Sequence, residues 1–201
     1  MDNLKETVGT TAWRLQTRVL GAHGEREQAR ARGELAELRR SVGRPIESDP
    51  LGLARVIEAL EPPLDQGLLG AGDAATASER AAYHALTLFA WHMQSAREPM
   101  HVPDRSFAGA CGVLYRLYRR TDSDSFKPRF DAMVLTSSAR SRLQRMREMI
   151  ALLRGEALGF HYGQFAADLR ALDNPERYKK VLMRWGRDFA RIPADTPATE
   201  S

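Results

Sequence analysis

Apolar side chains recur at steps of three and four residues along most of the chain, which is the period of an α-helix that buries one face. The first such stripe ends near Gly21, a residue type that commonly terminates a helix. No segment alternates apolar and polar residues as a half-buried strand does, and no hairpin dipeptide joins two apolar runs. The pattern therefore predicts an all-α fold, a compact bundle of about eight or nine helices.

Capping residues, prolines and glycines mark where these helices begin and end. Ser78 is the predicted N-cap of a helix that is apolar nearly all round, so this helix should lie at the centre of the bundle. Asn174 and Pro175 mark the start of the last long helix. The predicted helices span about 4–20, 25–42, 50–60, 78–96, 107–120, 126–135, 138–154, 162–172 and 175–192.

Two irregular stretches separate these helices. The segment 61–77 is rich in proline, glycine and alanine and is the longest linker-like stretch, and the segment 97–105 contains two prolines. A chain of 201 residues is long enough for one domain with a substantial core. We expect a single all-α domain over residues 1–201, with two helical lobes joined near 61–77 or 97–105 as the alternative.

Charge is distributed unevenly along the chain. Residues 1–104 carry 12 basic and 15 acidic side chains, whereas residues 105–201 carry 18 basic and 11 acidic ones. The net charge of +4 therefore combines a slightly acidic first half with a basic second half in which arginine greatly outnumbers lysine. This asymmetry favours a phosphate-rich partner for the second half of the chain.

Basic residues form stripes beside the apolar stripes on several predicted helices. In the helix 138–154, Arg140, Arg147 and Arg154 are seven residues apart, so they lie along one edge. A guanidinium group can bind a phosphate through two parallel hydrogen bonds, which suits contact with a nucleic-acid backbone. The predicted phosphate contacts are Arg116, Arg119, Arg120, Arg140, Arg147, Arg154, Lys180, Arg184 and Arg187, and Arg39 and Arg40 are predicted to contact nucleic acid or a neighbouring subunit. For each of them, solvation or an ion pair within the chain is the alternative.

Motifs for catalysis are absent from the sequence. There is no phosphate-binding glycine loop, dinucleotide fingerprint or nucleophile elbow. His84 and His92 are eight residues apart, but no paired carboxylate accompanies them, so we interpret both as core or boundary histidines rather than metal ligands. Cys111 lies on an apolar stripe and is predicted to be a buried small side chain. We expect no enzyme activity, no cofactor and no metal.

Two pairs of aspartates resemble catalytic carboxylate pairs in their spacing. These are Asp168 with Asp173 and Asp122 with Asp124. Aspartate is also a common capping and turn residue, and we interpret all four in that way.

The sequence gives no sign of a membrane or secretory location. The N-terminal residues lack the basic-then-apolar order of a signal peptide, and the apolar run 85–93 is too short to span a bilayer. A single cysteine excludes an internal disulfide and fits a reducing compartment. We expect a cytoplasmic protein that does not associate with membranes.

Several short motifs occur in a characteristic order. They are GELAELRR at 33–40, LFAWH at 88–92, FAGACGVLYRL at 107–117, RF at 129–130, LLR at 152–154, YGQFAADL at 162–169 and WGRDF at 185–189. Together they resemble the CasB family, the small subunit of the type I-E CRISPR surveillance complex Cascade, from about Trp13 to Phe189. The sequence departs from the family pattern at His161, where an acidic residue is common, and at Ala171 and Leu172, where a tryptophan is common; we interpret both as packing variations.

The resemblance implies an all-α subunit without enzyme activity. Proteins of this family pack as two copies, head to tail, beside the Cascade subunits that hold the CRISPR RNA. They help hold the target strand and the displaced non-target strand, which stabilises the R-loop. The implied partners are other Cascade subunits, the CRISPR RNA, both DNA strands and a second copy of the chain. The residues themselves leave open a helical protein–protein adaptor whose basic faces bind acidic partners, and an enzyme that uses the histidines.

Overall fold

Nine α-helices and two short 3-10 helices make up the regular structure in the computed structural model, which describes residues 2–21, 24–120 and 125–191. No strand occurs within these ranges, so the predicted all-α fold is confirmed. The helices are α1 (Leu4–Leu20), α2 (Glu25–Arg39), α3 (Pro50–Ala59), α4 (Ala77–His92), α5 (Phe107–Arg120), α6 (Phe126–Leu135), α7 (Ala139–Gly155), α8 (Tyr162–Leu172) and α9 (Pro175–Ala190), with 3-10 helices at Ile46–Ser48 and Gln66–Leu68.

The predicted ends of the helices are accurate at the start of α9 and wrong at the start of α4. The side chain of Asn174 accepts hydrogen bonds from the first backbone N–H groups of α9, as predicted. At α4, Thr76 and not Ser78 is the N-cap. The hydroxyl of Thr76 accepts from the N–H of Glu79 at 3.0 Å, and the Glu79 carboxylate accepts from the N–H of Thr76 at 2.7 Å. This reciprocal capping box starts the helix earlier than predicted.

Helices α2, α4 and α9 end earlier than predicted. Helix α4 ends at His92 instead of Ala96, and α2 ends at Arg39 instead of Val42. Helix α9 ends at Ala190, and the predicted stop at Pro193 lies outside the described residues.

Helix α4 is buried on nearly all sides, as its apolar sequence predicts. Helices α1, α2, α3, α7 and α8 pack around it, and α5 and α9 pack against each other beside them. The helix pairs α1–α8 and α5–α9 approach closely because glycines lie at the contacts. A Cβ atom at Gly163 would collide with the carbonyl of Lys5, and one at Gly112 would collide with the carbonyl of Phe189.

Both irregular stretches are held by hydrogen bonds to the helices. In the segment 97–105, the Gln16 side chain donates to the carbonyl of His101 and accepts from its N–H, each at 2.8 Å. In the segment 61–77, the N–H of Glu61 donates to the hydroxyl of Thr11 at 2.9 Å. The buried apolar side chains form one continuous cluster. The division into lobes stays a prediction, and we propose a single domain because of this shared core.

Within the described ranges, no helix combines the length and the apolar character that are needed to cross a bilayer.

Candidate nucleic-acid interface

Helix α7 lies against Trp91 of α4 through two of its predicted site residues. The guanidinium carbons of Arg147 and Arg154 lie 5.5 Å and 4.6 Å from the centroid of the Trp91 ring, within the range of a cation–π interaction. Arg154 also donates to the carbonyl of Trp91 at 3.3 Å and to the side chain of Gln94 at 3.4 Å. Arg147 is exposed and Arg154 is half-buried. Both guanidinium groups contact the indole, and Arg154 is held by its hydrogen bonds in addition.

A groove lies between α4 and α7, and we call it the α4–α7 groove. Its volume is about 770 Å³, and its lining includes Arg44, Leu88, Trp91, Arg140, Leu143 and Arg147. Arg140 is exposed at the start of α7. Two of the three arginines of the predicted α7 stripe therefore line the groove directly, and the third, Arg154, contacts Trp91 in its wall.

On α5, the predicted residues differ in how freely they can reach a ligand. Arg116 is half-buried and donates to the carbonyl of Phe189 on α9 at 3.2 Å. Burial lowers the pKa of Arg116 below its usual value. Arg119 is exposed, with its guanidinium carbon 5.9 Å from the centroid of the Tyr115 ring, and Arg120 is exposed at the end of the helix.

On α9, Arg184 forms an ion pair with Asp168 of α8. Asp168 is only 2% exposed, and it also accepts hydrogen bonds from the Trp185 indole and the Gln164 side chain, each at 2.7 Å. Burial raises the pKa of Asp168, against the opposing effect of these donors. The interpretation of Asp168 as a capping residue is therefore wrong, because it lies inside α8 and accepts hydrogen bonds in the core. Lys180 and Arg187 are exposed on the same helix as Arg184.

The predicted contacts on α2 and the aspartate Asp173 lie at the ends of helices. Arg40 is exposed after α2 and pairs with Glu37 at 2.8 Å, while Arg39 is half-buried. Asp173 follows the last residue of α8 and pairs with Arg80 at 3.4 Å, consistent with a role at the end of that helix. The other aspartate pair, at 122 and 124, lies outside the described residues.

Two basic residues and one aromatic residue were not predicted as parts of this region. Arg44 lines the groove from the loop after α2, and Trp91 is the platform for two arginines. Arg142 is buried, donates to the carbonyl of Thr136 at 2.6 Å and lies 4.9 Å from the centroid of the Tyr178 ring. A signal for Arg142 exists in the sequence, because it lies four residues before Met146 and seven before Met149, which places it on the apolar face of α7.

The core positions predicted for His92 and Cys111 are confirmed, since both are fully buried. The Nδ1 atom of His92 lies 2.9 Å from the Tyr162 hydroxyl, and burial lowers the pKa of His92 to about 3. Burial also raises the pKa of the Cys111 thiol. His84 is half-buried beside the groove, and its pKa is lowered to about 4 mainly by burial. In the described part of the chain, no three His, Cys, Asp or Glu side chains are grouped as metal ligands.

These features define an all-α protein with a basic groove and additional basic helix faces. The family model described as CRISPR-associated protein Cse2 matches residues 34–189, and the chain belongs to this family. The resemblance to CasB proteins is thereby confirmed. A comparison with curated protein sequences finds no match.

Solved structures of the same family share the fold. CasB from Thermobifida fusca is 27% identical with a TM-score of 0.68, covering 94% of this chain and 98% of that one. A CRISPR-associated protein of the Cse2 family from Thermus thermophilus is 23% identical with a TM-score of 0.62, covering 94% and 99%. CasB from M. ruber is 17% identical with a TM-score of 0.57, covering 91% and 94%.

Proposed function

We propose that this chain is a non-enzymatic subunit of a type I-E CRISPR Cascade complex in the cytoplasm, where it binds nucleic-acid backbones and stabilises the R-loop. Its partners in this proposal are the other Cascade subunits, the CRISPR RNA, the target and displaced DNA strands, and a second copy of itself. Membership of the Cse2 family supports the assembly. The observation that carries the binding role is the set of exposed basic side chains on α5, α7 and α9.

Basic side chains on rigid helices are sufficient for this role, because an R-loop needs little additional stabilisation. The RNA–DNA duplex that forms is about as stable as the DNA duplex that it replaces, so modest contacts to the backbone can shift the balance. Arginine and lysine side chains supply such contacts without reading the bases.

The proposed residues differ in what they must give up to contact a phosphate. Within the described ranges, Arg40 and Arg184 are the ones that form ion pairs, and Arg116 and Arg154 each donate to a carbonyl. These four would have to exchange an existing partner for a phosphate. Exposed residues without an ion pair in the described part of the chain need no such exchange, and they should contribute most. They are Arg119, Arg120, Arg140, Arg147, Lys180 and Arg187.

The first test compares two double variants. Lys180→Ala with Arg187→Ala removes two charges from the proposed face of α9, and Arg26→Ala with Arg30→Ala removes two exposed charges from the first half of α2, which holds none of the proposed contacts. Each variant is expressed with the neighbouring genes and a CRISPR RNA. R-loop formation by the purified complex is then measured over a series of salt concentrations.

We expect the first variant to weaken R-loop formation and to reduce the salt slope by roughly 0.9 for each phosphate that it no longer neutralises. The second variant should resemble the wild type. Equal losses in both variants would show that only the total charge matters, and no loss in either would remove the α9 face from the proposal.

A protein–protein adaptor is the second candidate, because several large apolar side chains are exposed. Trp13, Leu51, Leu135 and Met183 are between 58% and 80% exposed. Such side chains commonly anchor protein interfaces. Stable assembly with partners, combined with nucleic-acid binding that lacks a steep salt slope, would favour this function.

A further inference from the structure

The α4–α7 groove has an apolar interior and a basic edge. Leu88 and Trp91 of α4 face Leu143 and Met146 of α7 across it. His84 also lines the groove, and with its pKa lowered to about 4 by burial it is neutral near pH 7. The interior is therefore apolar and partly aromatic at physiological pH.

The charges around the groove are mainly positive. Five arginines and three carboxylates line it. Arg80 pairs with Asp173, and the buried Arg142 donates to the carbonyl of Thr136. Three arginines of the edge therefore remain against the two carboxylates of Glu47 and Glu148. Arg44, Arg140 and Arg147 are absent from the ion pairs that the described ranges contain. An anionic ligand is thus complementary to the edge of the groove, while an apolar part of the same ligand is complementary to its interior.

The guanidinium of Arg147 and the indole of Trp91 lie against each other in the groove. The guanidinium of Arg147 lies between the Trp91 ring and the loop after α2. That loop passes close by at Gly43, which has a φ of +77°, and a Cβ atom there would lie 2.8 Å from Nη1 of Arg147. Any other residue at this position would strain the backbone and displace the arginine.

We propose that the α4–α7 groove binds unstacked nucleotides of a single-stranded nucleic acid, with phosphates at Arg44 and Arg140 and bases against Leu143 and the guanidinium of Arg147, which is itself stacked on Trp91. This inference rests on the proposed function and adds a site for bases to the binding of the backbone. Single strands bind to proteins through a basic groove combined with aromatic side chains. A volume of about 770 Å³ lies in the range of pockets for small ligands, which corresponds to roughly one or two nucleotides.

A duplex does not fit this combination of groups. Its bases are stacked inside the helix, so a duplex would reach only the arginines at the edge of the groove. The displaced strand of an R-loop and a single-stranded segment of RNA share the chemistry that the groove recognises, and the choice between them is an outcome of the test.

The first experiment uses tryptophan fluorescence of the full chain. The chain has three tryptophans, of which Trp185 is fully buried and Trp13 is 58% exposed. The variant Trp13→Phe therefore leaves Trp91 as the tryptophan that a ligand in the groove can quench. This protein is titrated with a short oligothymidine, an oligouridine of equal length, and an abasic oligomer that has the same number of phosphates.

We expect saturable quenching by at least one of the two base-containing oligomers. The abasic oligomer should bind at least about fivefold more weakly, because it lacks the stacking contribution of the base. The base-containing oligomer with the higher affinity shows whether the groove prefers DNA or RNA. Equal affinity for all three oligomers, with steep salt dependence and no quenching, would overturn the base-binding site and leave the proposed function intact.

A pair of single variants localises the binding to the groove. Arg140→Ala removes a guanidinium from the groove edge, and Arg145→Ala removes an exposed guanidinium from the same helix outside the groove. We expect the first to weaken binding of the oligomer by severalfold and the second to have little effect. Equal effects of the two variants would contradict the assignment.

If no oligomer binds the isolated chain, a crosslinking experiment on the assembled complex tests the groove. A target duplex with 4-thiothymidine in one strand is converted to an R-loop, irradiated, and the crosslinked peptides are identified by mass spectrometry. Crosslinks to α4 or α7 support the groove, and crosslinks confined to other helices overturn it. A complex that forms no R-loop at all would contradict the proposed function itself.

Discussion

Protonation of His92 should destabilise the fold as the pH falls. This side chain is fully buried in α4, with Nδ1 2.9 Å from the Tyr162 hydroxyl. Its Nε2 atom has no hydrogen-bond partner within the described part of the chain. Burial lowers the pKa of His92 to about 3, and the charge of Arg154 acts in the same direction. The folded protein therefore keeps the imidazole neutral.

The magnitude follows from the difference between the folded and unfolded pKa values. An unfolded histidine titrates at about 6.5, so below this pH the unfolded chain binds a proton that the folded chain does not. The stability associated with His92 is present above about pH 6.5 and is lost as the pH falls. Between pH 7 and pH 5 the loss is about 2 kcal/mol.

The assay compares wild type with His92→Phe, a change that keeps a ring beside Phe160 and removes the titrating group. Urea unfolding of both proteins at pH 7 and pH 5 gives four free energies of unfolding. The variant leaves the Tyr162 hydroxyl without this partner, but that cost is the same at both pH values. We expect wild type to lose about 2 kcal/mol more than the variant between the two pH values. An identical pH dependence in both proteins would refute the reasoning.

Two further changes test other buried contacts by chemical denaturation. Asp168→Ala leaves the Trp185 indole N–H without an acceptor in the core and should cost about 2–4 kcal/mol. Asp168→Asn keeps an acceptor and should cost less, so an equal loss would contradict the role of this hydrogen bond. Gly112→Ala should cost about 1–3 kcal/mol, because its Cβ collides with the carbonyl of Phe189. Gly186→Ala, at an open helical position, should instead stabilise the protein by about 0.5–1 kcal/mol, and losses at both glycines would exclude the collision as the cause.

Local signals in the sequence account for the number and approximate limits of the helices. Asn174 followed by proline fixes the start of α9, because the cap and the first helical residue are adjacent in sequence. The start of α4 was harder to predict, since Thr76 and Ser78 are both good capping residues. Glu79 stands three residues after Thr76, which completes the capping box. The Thr76 hydroxyl also donates to the carbonyl of Leu68 at 2.7 Å, a contact that depends on how the preceding loop folds.

The sequence predicts only part of the candidate site, because contacts between helices that are distant in sequence do not follow from the spacing along one helix. The seven-residue spacing of Arg140, Arg147 and Arg154 places them along one edge of α7, but the spacing does not tell which helix lies opposite. Trp91 is distant from all three in sequence, so its contacts emerge only when α7 packs on α4. Asp168 shows the same limit, because its burial depends on the docking of Trp185 from α9.

The stacking of Arg147 and Arg154 on one indole has a consequence for the entropy of binding. A free arginine side chain explores many rotamers, and fixing it on a ligand costs up to about 2 kcal/mol in conformational entropy. Here the fold has already restricted two of these side chains before any ligand arrives. A strand that binds at this edge of α7 therefore meets two guanidinium groups whose rotamers are already restricted. Part of the entropic cost of ordering these side chains is met when the chain folds, and not when the strand binds.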